Sequence, residues 1–282
     1  MNILLLGGSG FIGARIAAAL RANGHQVNTP RSRDIDYLHP NEQTLQAALQ
    51  GQEVVINAVG LMHYKQDVLE MVHHHAVRII ATAAKAQGVR LFVQLSALGA
   101  DAAHKVAFVG SKGRGDAALL ALADEHFHVQ IARPSVVYGV GGASSRAFAQ
   151  AARLPMLMLP ERGEQRVQPV HVADVAAGFV RMVEAPLPSG SIVNMAGGEA
   201  MTLAQYLSVL REILWHKPPL KVVRVPDALV RMATLLLEKP SKGLISAGNL
   251  SLLKAGNCAD TQAFAALLGR EPLRPHEFAE RA

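Results

Sequence analysis

Four glycines follow a short apolar run near the start of the chain, and they satisfy Gly-x-Gly-x-x-Gly at Gly8, Gly10 and Gly13 as well as Gly-x-x-Gly-x-x-Gly at Gly7, Gly10 and Gly13. The run Ile3–Leu6 predicts a buried strand, and a helical pattern begins about five residues after it. Glycine adopts the backbone conformations of a tight turn, and it lets the chain approach a diphosphate at the N-terminus of the next helix. Because a strand precedes the loop and a helix follows it, the spacing predicts a dinucleotide-binding turn rather than an ordinary one. The residues expected to hold the diphosphate are Gly7, Gly10, Phe11, Ile12 and Gly13.

The residues after the second predicted strand, Gln26–Thr29, bear on which dinucleotide is bound. By spacing alone, Asp34 is a candidate for the carboxylate that binds the ribose hydroxyls of NAD(H). The strand order instead places Arg31 and Arg33 beside the ribose 2′ position, where a guanidinium suits the 2′-phosphate of NADP(H). We therefore prefer NADP(H), keep NAD(H) as the alternative, and expect Asp34 and Ile35 to border the adenine. The competing interpretation is that the two arginines are merely solvated.

Short apolar runs alternate with helical patterns through most of the first two thirds of the chain. Uniformly apolar strands of this kind are typical of βαβ units, in which helices cover both faces of a parallel sheet. The sequence thus predicts an α/β fold with a doubly wound, parallel, Rossmann-type sheet. The expected strands after the first two are Val54–Ala58, Leu91–Leu95 and Val129–Ala132, and the helices between them are Val68–Gln87 and Gly113–Glu125.

The later part of the chain is less regular and predicts a small, discontinuous lobe on the substrate side. Thr202 is the expected N-cap of a helix over Leu203–Trp215, and Pro226–Lys239 has the pattern of an amphipathic helix. We expect a Rossmann core from residues 1–139 and 166–185, and the lobe and C-terminal helices from residues 140–165 and 186–282.

Composition excludes several classes of protein. The 282 residues are 50% hydrophobic and 18% charged, which is too apolar for a disordered chain. A single cysteine, Cys258, permits no internal disulfide, and the longest apolar runs are too short to span a membrane. The 28 Lys and Arg residues give a net charge of +6 but are scattered, so nucleic acid is not an expected partner. We expect a cytoplasmic protein without a transmembrane segment.

Further short motifs follow the later predicted strands, and together with the glycine loop they resemble a known family. They are Asn57–Gly60, Gln94–Ala97, Ser111-Lys112, Arg133–Ser135 and Pro169–Ala176. Their order and spacing over residues 1–215 are similar to the extended and atypical branch of the short-chain dehydrogenase/reductase superfamily, the NAD-dependent epimerase/dehydratase type. The string Ser96–Ala100 is most similar to the subgroup of the mitochondrial complex I accessory subunit and its bacterial relatives. The resemblance adds these residues to the cofactor site: Asn57, Ala58, Val59, Gly60, Lys112 and Pro134.

The resemblance also implies where catalysis would take place. Active members use a Tyr as general acid/base, a Lys four residues later that lowers its pKa and holds the nicotinamide ribose, and a Ser that polarises the substrate oxygen. Ser96 and Lys112 match by position, whereas Phe108 stands where the Tyr is expected. Phenylalanine has no proton to exchange, so the usual relay does not run through it. The resemblance therefore implies cofactor binding more strongly than turnover.

Other candidate acids and metal ligands have a simpler interpretation. Tyr64, Tyr138 and His104 are expected to pack or to face solvent rather than to act as acids. Three consecutive histidines, 73–75, point about 100° apart on a helix and cannot converge on one metal ion, so no metal site is expected. In the family that the sequence resembles, an Asn often occupies the position of His73, so we expect His73 to cap or contact a neighbouring strand.

His171 and Asp174 invite interpretation as a catalytic dyad. We favour a structural account, in which His171 ends a strand and Asp174 is the N-cap of a helix over Val175–Glu184.

Two functions stay open from the sequence. The first is an NAD(P)(H)-dependent oxidoreductase or epimerase-type enzyme that acts on a small or quinone-like substrate, with water or Ser96 supplying the proton. The second is a catalytically silent NADP(H)-binding scaffold, redox sensor or assembly partner. On that second interpretation, residues 226–239 are a candidate contact with a protein or a peripheral membrane surface, although ordinary packing of that helix is the simpler expectation.

Overall fold

The computed structural model describes residues 1–226 and 256–281, with single positions between them. Packing divides the chain into two units. The first comprises Met1–Pro134 and Val175–Asn194, and the second comprises Ser135–Asp174 and Met195–Ala282. Residues 166–174, which the sequence assigned to the Rossmann core, fall in the second unit. The predicted amphipathic helix Pro226–Lys239 lies outside the described residues apart from a few isolated positions.

The described elements alternate between strand and helix in the first unit and are shorter in the second. The strands are β1 Asn2–Leu6, β2 Gln26–Asn28, β3 Val54–Asn57, β4 Leu91–Leu95, β5 His128–Pro134, β6 Val137–Tyr138, β7 Met156–Leu159, β8 Arg166–Val167, β9 Val170–His171, β10 Ile192–Met195, β11 Met201–Thr202 and β12 Lys221–Arg224. The α-helices are α1 Phe11–Ala22, α2 Glu42–Leu49, α3 Gln66–Glu70, α4 Ala76–Ala86, α5 Ala107–Leu120, α6 Ala143–Arg153, α7 Val172–Glu184, α8 Leu203–Trp215 and, next among the described residues, α9 Gln262–Leu268. A π-helical turn, Met71–His75, joins α3 to α4, a turn with left-handed backbone at Glu161 and Arg162 covers Pro160–Gly163, and a 3-10 helix covers Pro275–Arg281.

A six-stranded sheet in the order β10-β5-β4-β3-β1-β2 forms the core of the first unit. Strand β1 pairs in parallel with both β2 and β3, and β4 pairs in parallel with β3 and β5. Strands β3 and β4 are buried along their whole length, which explains their uniformly apolar sequences. The predicted doubly wound, Rossmann-type parallel sheet is confirmed. Successive strands lie on opposite sides of β1, so the carboxyl ends of β1 and β3 form the switch point where such sheets bind ligands.

Helix α5 starts six residues before its predicted beginning at Gly113, and glycines inside it account for the difference. Glycine has low helix propensity, so its presence weakened the helical pattern. The glycines are needed because a Cβ on Gly113 would lie 2.2 Å from the backbone carbon of Asp101, and one on Gly115 would lie 2.0 Å from the backbone oxygen of His73. Close packing therefore overrides propensity, and α5 carries both Phe108 and Lys112.

The prediction that Asp174 caps a helix is wrong. Helix α7 begins at Val172, so Asp174 lies within its first turn. Its carboxylate is fully buried, accepts a hydrogen bond of 2.8 Å from the backbone N–H of Leu273 and pairs with Arg270. The carboxylate is committed to a contact with a distant segment of the second unit, which a local sequence pattern does not reveal.

The described part of the second unit contains three two-stranded sheets and helix α8. Strand β6 pairs with β9, β8 with β11, and β7 with β12. A core of apolar side chains that includes Tyr206 and Phe278 fills the space between these elements. The predicted cap of α8 is confirmed: Thr202 Oγ1 accepts from the N–H of Gln205 at 3.1 Å, and the Gln205 side chain accepts from the Thr202 N–H at 2.8 Å. These reciprocal bonds form a capping box.

Replacing Thr202 by Ala should lower the free energy of unfolding by about 1 kcal/mol, because the first turn of α8 loses its side-chain acceptor. Urea denaturation followed by circular dichroism measures the change. Thr202→Ser keeps the hydroxyl and is the matched control, expected to stay close to the wild type. Equal losses in both variants would show that the methyl group of Thr202, not its hydroxyl, matters.

Candidate functional site

The glycine loop between β1 and α1 is closely packed against the residues that follow β3. Gly7 has a positive φ of 79°, and a Cβ added there would lie 2.8 Å from the backbone carbon of Ala58. A Cβ on Gly13 would lie 2.2 Å from the oxygen of Gly7, and the Gly10 N–H donates to that same oxygen at 2.9 Å. Side chains at Gly7 and Gly13 would close this turn, so the residues present fit the backbone cradle that a dinucleotide diphosphate requires.

The N-terminus of α1 is suited to an anion. Gly10 stands at the N-cap in an extended conformation, no side chain makes a capping hydrogen bond, and no acidic residue lies in the first turn. A helix leaves the N–H groups of its first turn without helical partners, and its dipole favours negative charge there. The N–H groups at the start of α1, including those of Phe11 and Ile12, are therefore the candidate diphosphate donors.

A cavity of about 260 Å³ lies at the switch point of the sheet. Its walls come from the loops after β1, β2 and β3. They include Gly7, Arg31, Ile35, Tyr37, Val59 and Gly60. The structure thus brings together five residues that the sequence assigned to the cofactor, and it adds Tyr37.

Arg33 and Asp34 are not among the residues that line this cavity. The Asp34 carboxylate accepts from the backbone N–H of Arg31 at 2.9 Å. It also lies 3.6 Å from Arg31 Nε and 3.8 Å from Arg33 Nε. The two guanidinium groups are largely exposed, with 68% and 69% of their side chains accessible. Asp34 is thus the counter-ion of both arginines, while Asp36, which the sequence did not single out, lines the cavity.

A chain of buried polar side chains fixes the floor of the cavity. The Tyr37 hydroxyl donates to Asn57 Oδ1 at 2.8 Å, and Asn57 Nδ2 donates to Gln94 Oε1 at 2.9 Å. Asn57 Oδ1 also accepts from the N–H of Val59 at 3.1 Å. Burial raises the pKa of Tyr37 well above its usual value, so its hydroxyl stays protonated. Asn57 therefore acts by shaping the loop after β3, and Tyr37 is a site residue that sequence reasoning missed.

Lys112 is almost fully buried on α5, with its amine at the carboxyl ends of β3 and β4. Its Nζ donates to the oxygen of Leu95 at 2.8 Å and to that of Val59 at 3.4 Å. Burial lowers the pKa of Lys112 to about 8, and the negative charge of Asp116 opposes that shift. The amine is thereby held beside Val59 and Gly60, at one end of the cavity wall.

The hydroxyl of Ser96 faces a buried carboxylate. Ser96 Oγ donates to Asp116 Oδ2 at 2.8 Å, and Arg133 donates to the same oxygen from Nε at 3.0 Å and Nη2 at 2.8 Å. Burial raises the pKa of Asp116, whereas the bonds from Ser96 and Arg133 oppose the increase. Pro134, the last residue of β5, accepts through its oxygen from the N–H of Leu98 at 2.9 Å. Ser96 thus belongs to a Ser–Asp–Arg cluster, which sequence reasoning missed because Asp116 lies on another element.

Phe108 stands one helical turn before Lys112 and meets His73 edge to face. The ring centroids are 5.5 Å apart and the planes are inclined at 87°. His73 Nε2 accepts from the N–H of Leu61 at 3.1 Å, so Nδ1 carries the proton and donates to Ser111 Oγ at 3.0 Å. Ser111 in turn donates to the oxygen of Phe108 at 3.0 Å. Burial, with a smaller contribution from the charge of Lys112, lowers the pKa of His73 to about 2, so this ring stays neutral.

The remaining candidate acids have structural contacts. Tyr64 is exposed and stacks on His63, with ring centroids 4.7 Å apart. His104 Nδ1 accepts from the N–H of Val106 at 3.0 Å, and in the second unit Tyr138 stacks on Phe278. Among the described residues, no three His, Cys, Asp or Glu side chains are placed to hold a metal ion. Nor does any helix in this part of the chain have the length and apolar character needed to cross a membrane.

Residues 3–196 match the model of the NAD dependent epimerase/dehydratase family. The chain belongs to this family. Among curated proteins of known name it is similar to NADH dehydrogenase (ubiquinone) 1 alpha subcomplex subunit 9, mitochondrial. The Dictyostelium discoideum protein is 22% identical over 73% of this chain and 62% of its own length. The Mus musculus protein is 27% identical over 68% of this chain and 56% of its own length. The chain therefore spans less than two thirds of these relatives.

Another relative of this epimerase/dehydratase chain is Quinone oxidoreductase 2 of Escherichia coli, which is 25% identical over 90% of this chain and 81% of its own length. Solved structures share the fold. A nucleoside-diphosphate-sugar epimerase from Staphylococcus aureus aligns with a TM-score of 0.76 and 18% identity over 99% of this chain and all of its own. MoeE5 in complex with UDP-glucuronic acid and NAD has a TM-score of 0.72 and 17% identity, over 99% of this chain and 97% of its own. RMD from Pseudomonas aeruginosa complexed with NADPH has a TM-score of 0.73 and 16% identity, over 99% of this chain and 96% of its own.

Replacing His73 by Asn should make folding less sensitive to acid. The unfolded chain takes up a proton at His73 near its ordinary pKa of 6.5, whereas the folded chain does so only near 2. The contribution of His73 to the free energy of unfolding is fully present above pH 6.5, and it falls by about 1.4 kcal/mol per pH unit below that. Relative to the wild type, the variant should therefore retain about 2 kcal/mol more of its free energy of unfolding between about pH 6.5 and pH 5.

Urea denaturation at a series of pH values measures this slope. His75→Asn changes an exposed histidine of the same π-helical turn and is the control. Parallel pH profiles for wild type, His73→Asn and His75→Asn would contradict a neutral, buried His73.

Proposed function

We propose that the chain is an NADP(H)-binding protein that holds the dinucleotide in the first unit and lacks the tyrosine-dependent proton relay of active relatives. The bound cofactor would supply a hydride donor or acceptor. The glycine loop and the start of α1 would hold its diphosphate, the cavity lined by Ile35 and Tyr37 would take the adenosine, and Lys112 would hold the nicotinamide ribose. In this proposal the cofactor-bound protein is a redox sensor or an assembly scaffold, and it does not turn over a carbonyl substrate.

The preference for NADP(H) is supported by charge at the cavity. Arg31 lines it with an exposed guanidinium, and Arg33 follows two residues later. A 2′-phosphate matches such a group through bidentate hydrogen bonds. Asp34, the candidate partner for the ribose hydroxyls of NAD(H), is already bonded to the backbone of Arg31 and close to both guanidinium groups. The phosphate would take over the arginine contacts that Asp34 now makes.

The environment of Lys112 is the observation that supports a lack of catalytic activity. One helical turn away, where the resemblance sets the tyrosine, Phe108 offers a ring without a hydroxyl. The other expected hydroxyl, that of Ser96, donates its hydrogen bond to Asp116. Since proton transfer needs a titratable group within hydrogen-bond reach of the reacting oxygen, neither side chain is placed to perform it in this arrangement.

A second candidate function is favoured by the similarity to Quinone oxidoreductase 2, which extends over most of both chains. A quinone accepts a hydride without the help of an acid at the carbonyl oxygen, and water can then supply the proton. In this candidate the chain would oxidise NADPH with a quinone-like acceptor even though Phe108 replaces the tyrosine.

Replacing Arg31 by Glu should weaken NADPH binding roughly tenfold or more, because the guanidinium–phosphate bonds are lost and a repulsive charge is added. NADH binding should change by less than about threefold, since NADH lacks the 2′-phosphate. Titration of the intrinsic cofactor fluorescence measures both. Arg78→Glu makes the same charge change at an exposed position on α4 and is the matched control. Equal weakening of NADPH and NADH would argue against the phosphate assignment.

Replacing Phe108 by Tyr tests whether the site is otherwise intact. We expect the wild type to bind NADPH without oxidising it in the presence of carbonyl substrates. The variant should gain measurable oxidation, which is followed as the loss of the reduced nicotinamide absorbance at roughly 340 nm. Phe108→Leu, which adds no hydroxyl, is the control and should stay inactive. NADPH oxidation by the wild type with a soluble quinone would instead establish the second candidate. Failure of the wild type to bind either dinucleotide would refute both.

A further inference from the structure

The two-stranded sheet of β7 and β12 in the second unit has one face in the core and one face exposed. The strands run parallel, with Met156 opposite Lys221 and Met158 opposite Val223. Successive side chains on a strand point to opposite faces, and paired positions share a face. Met156, Met158, Lys221 and Val223 therefore make up one face, which is called the outer face below.

The opposite face of this sheet accounts for the unit's own packing. Leu157, Leu159 and Val222 pack against the apolar core around Tyr206. On the outer face, Met156, Met158 and Val223 are 51%, 54% and 44% exposed, and none of them belongs to that core among the residues that the structure describes. Two flexible methionines and a valine share one sheet face, and exposed apolar side chains grouped in this way are a candidate interaction surface.

Two further exposed apolar side chains lie on the segments that precede the two strands in sequence. Leu154 and Trp215 are exposed. The Trp215 indole donates to the oxygen of Ala149 at 3.2 Å, which ties the end of α8 to α6, and the Arg153 guanidinium lies 5.2 Å from the Trp215 ring centroid. A tryptophan beside an arginine is the combination that sits well at a boundary between apolar and aqueous phases.

The segments that carry this surface are mainly basic. Residues 143–160, which contain α6 and β7, and residues 213–226, which contain β12, hold five Lys and Arg, and the nearest carboxylates are the exposed Glu161 and Glu212 at their borders. All five are exposed, namely Arg146, Arg153, Lys217, Lys221 and Arg224. Lys221 lies on the outer face itself, whereas Arg224 pairs with Leu159 at the end of the opposite face. In the chain as a whole, acidic residues number 22 against 28 basic ones, so the excess of basic residues is larger here than in the rest of the chain.

We propose that the outer face and its basic surroundings bind the surface of an anionic phospholipid bilayer. The exposed Met and Val side chains would enter the acyl boundary, Trp215 would lie at the headgroup level, and the lysines and arginines would contact lipid phosphates. An acidic protein would offer the charge, and a second copy of this chain the apolar surface, but a second copy would repeat the same positive charge. The anionic bilayer supplies both at once.

Vesicle co-sedimentation with the full chain tests the proposal. The wild type should pellet with vesicles of phosphatidylcholine containing roughly one third phosphatidylglycerol, and not with phosphatidylcholine alone. Added salt should reverse binding, because surface charges are screened within about 10 Å at ~0.1 M salt. Trp215 is the single tryptophan of the chain, so a blue shift of its emission on addition of the anionic vesicles is expected without any substitution.

A pair of matched double variants localises the contact. Lys221→Glu/Val223→Glu places two carboxylates on the outer face and should reduce the apparent affinity at least tenfold, since each charge near an anionic surface changes binding by roughly fivefold. Arg78→Glu/Ile79→Glu makes the same change in charge and apolarity at exposed positions on α4 of the first unit, and should bind as the wild type does. Circular dichroism verifies that both variants fold.

Several results would overturn the proposal. They are absence of sedimentation and of a tryptophan shift with anionic vesicles, equal binding to both vesicle types, and equal loss in the two double variants. A concentration-dependent dimer that Lys221→Glu/Val223→Glu dissociates, without vesicle binding by the wild type, would assign the outer face to a second copy. If the outer-face variant does not fold, the wild-type tryptophan shift and its salt dependence still decide the question.

Discussion

The site depends on one close approach between backbones, that of helix α5 to the π-helical turn Met71–His75. Gly115 makes it possible, because any side chain there would overlap the oxygen of His73. This approach allows Ser111 to meet the His73 ring, and it brings Phe108 against the same ring. Lys112, which follows Ser111 directly, then reaches the carboxyl ends of β3 and β4. A π-helical turn is a costly local geometry that tends to persist where tertiary contacts require it, as they do here.

Burial decides the protonation states around this contact. A buried histidine that accepts one backbone hydrogen bond and donates another bond is fixed as the neutral tautomer. Lys112 is buried to a similar degree, yet two carbonyl oxygens and the nearby Asp116 favour its charged form. Asp116 in turn has Arg133 and Ser96 as donors on one oxygen. The polar groups of the site thus stabilise one another. Removing one partner would leave a buried charge uncompensated, which would lower the stability of the fold.

The sequence was sufficient for features that rest on local patterns. The glycine loop, the apolar strands and the Thr202 cap each involve residues close together in the chain, and the structure places them where expected. Contacts between distant segments could not be predicted from the sequence. Tyr37 and Asn57 are 20 residues apart, as are Ser96 and Asp116, and no spacing rule connects such pairs. Helix α5 was shortened in the prediction because its glycines, which lower helix propensity, are there for packing.

Asp174 gives the end of the chain a structural role. Its carboxylate is fully enclosed, and the groups that neutralise and solvate it, the Arg270 guanidinium and the Leu273 N–H, both come from the segment after α9. That segment therefore serves as an internal counter-ion for the start of α7. A protein shortened before Arg270 would bury an uncompensated negative charge, at a cost of about 3–5 kcal/mol. The segment from Arg270 to Leu273 thus belongs to the electrostatic balance of the second unit, although it lies almost a hundred residues from Asp174 in the sequence.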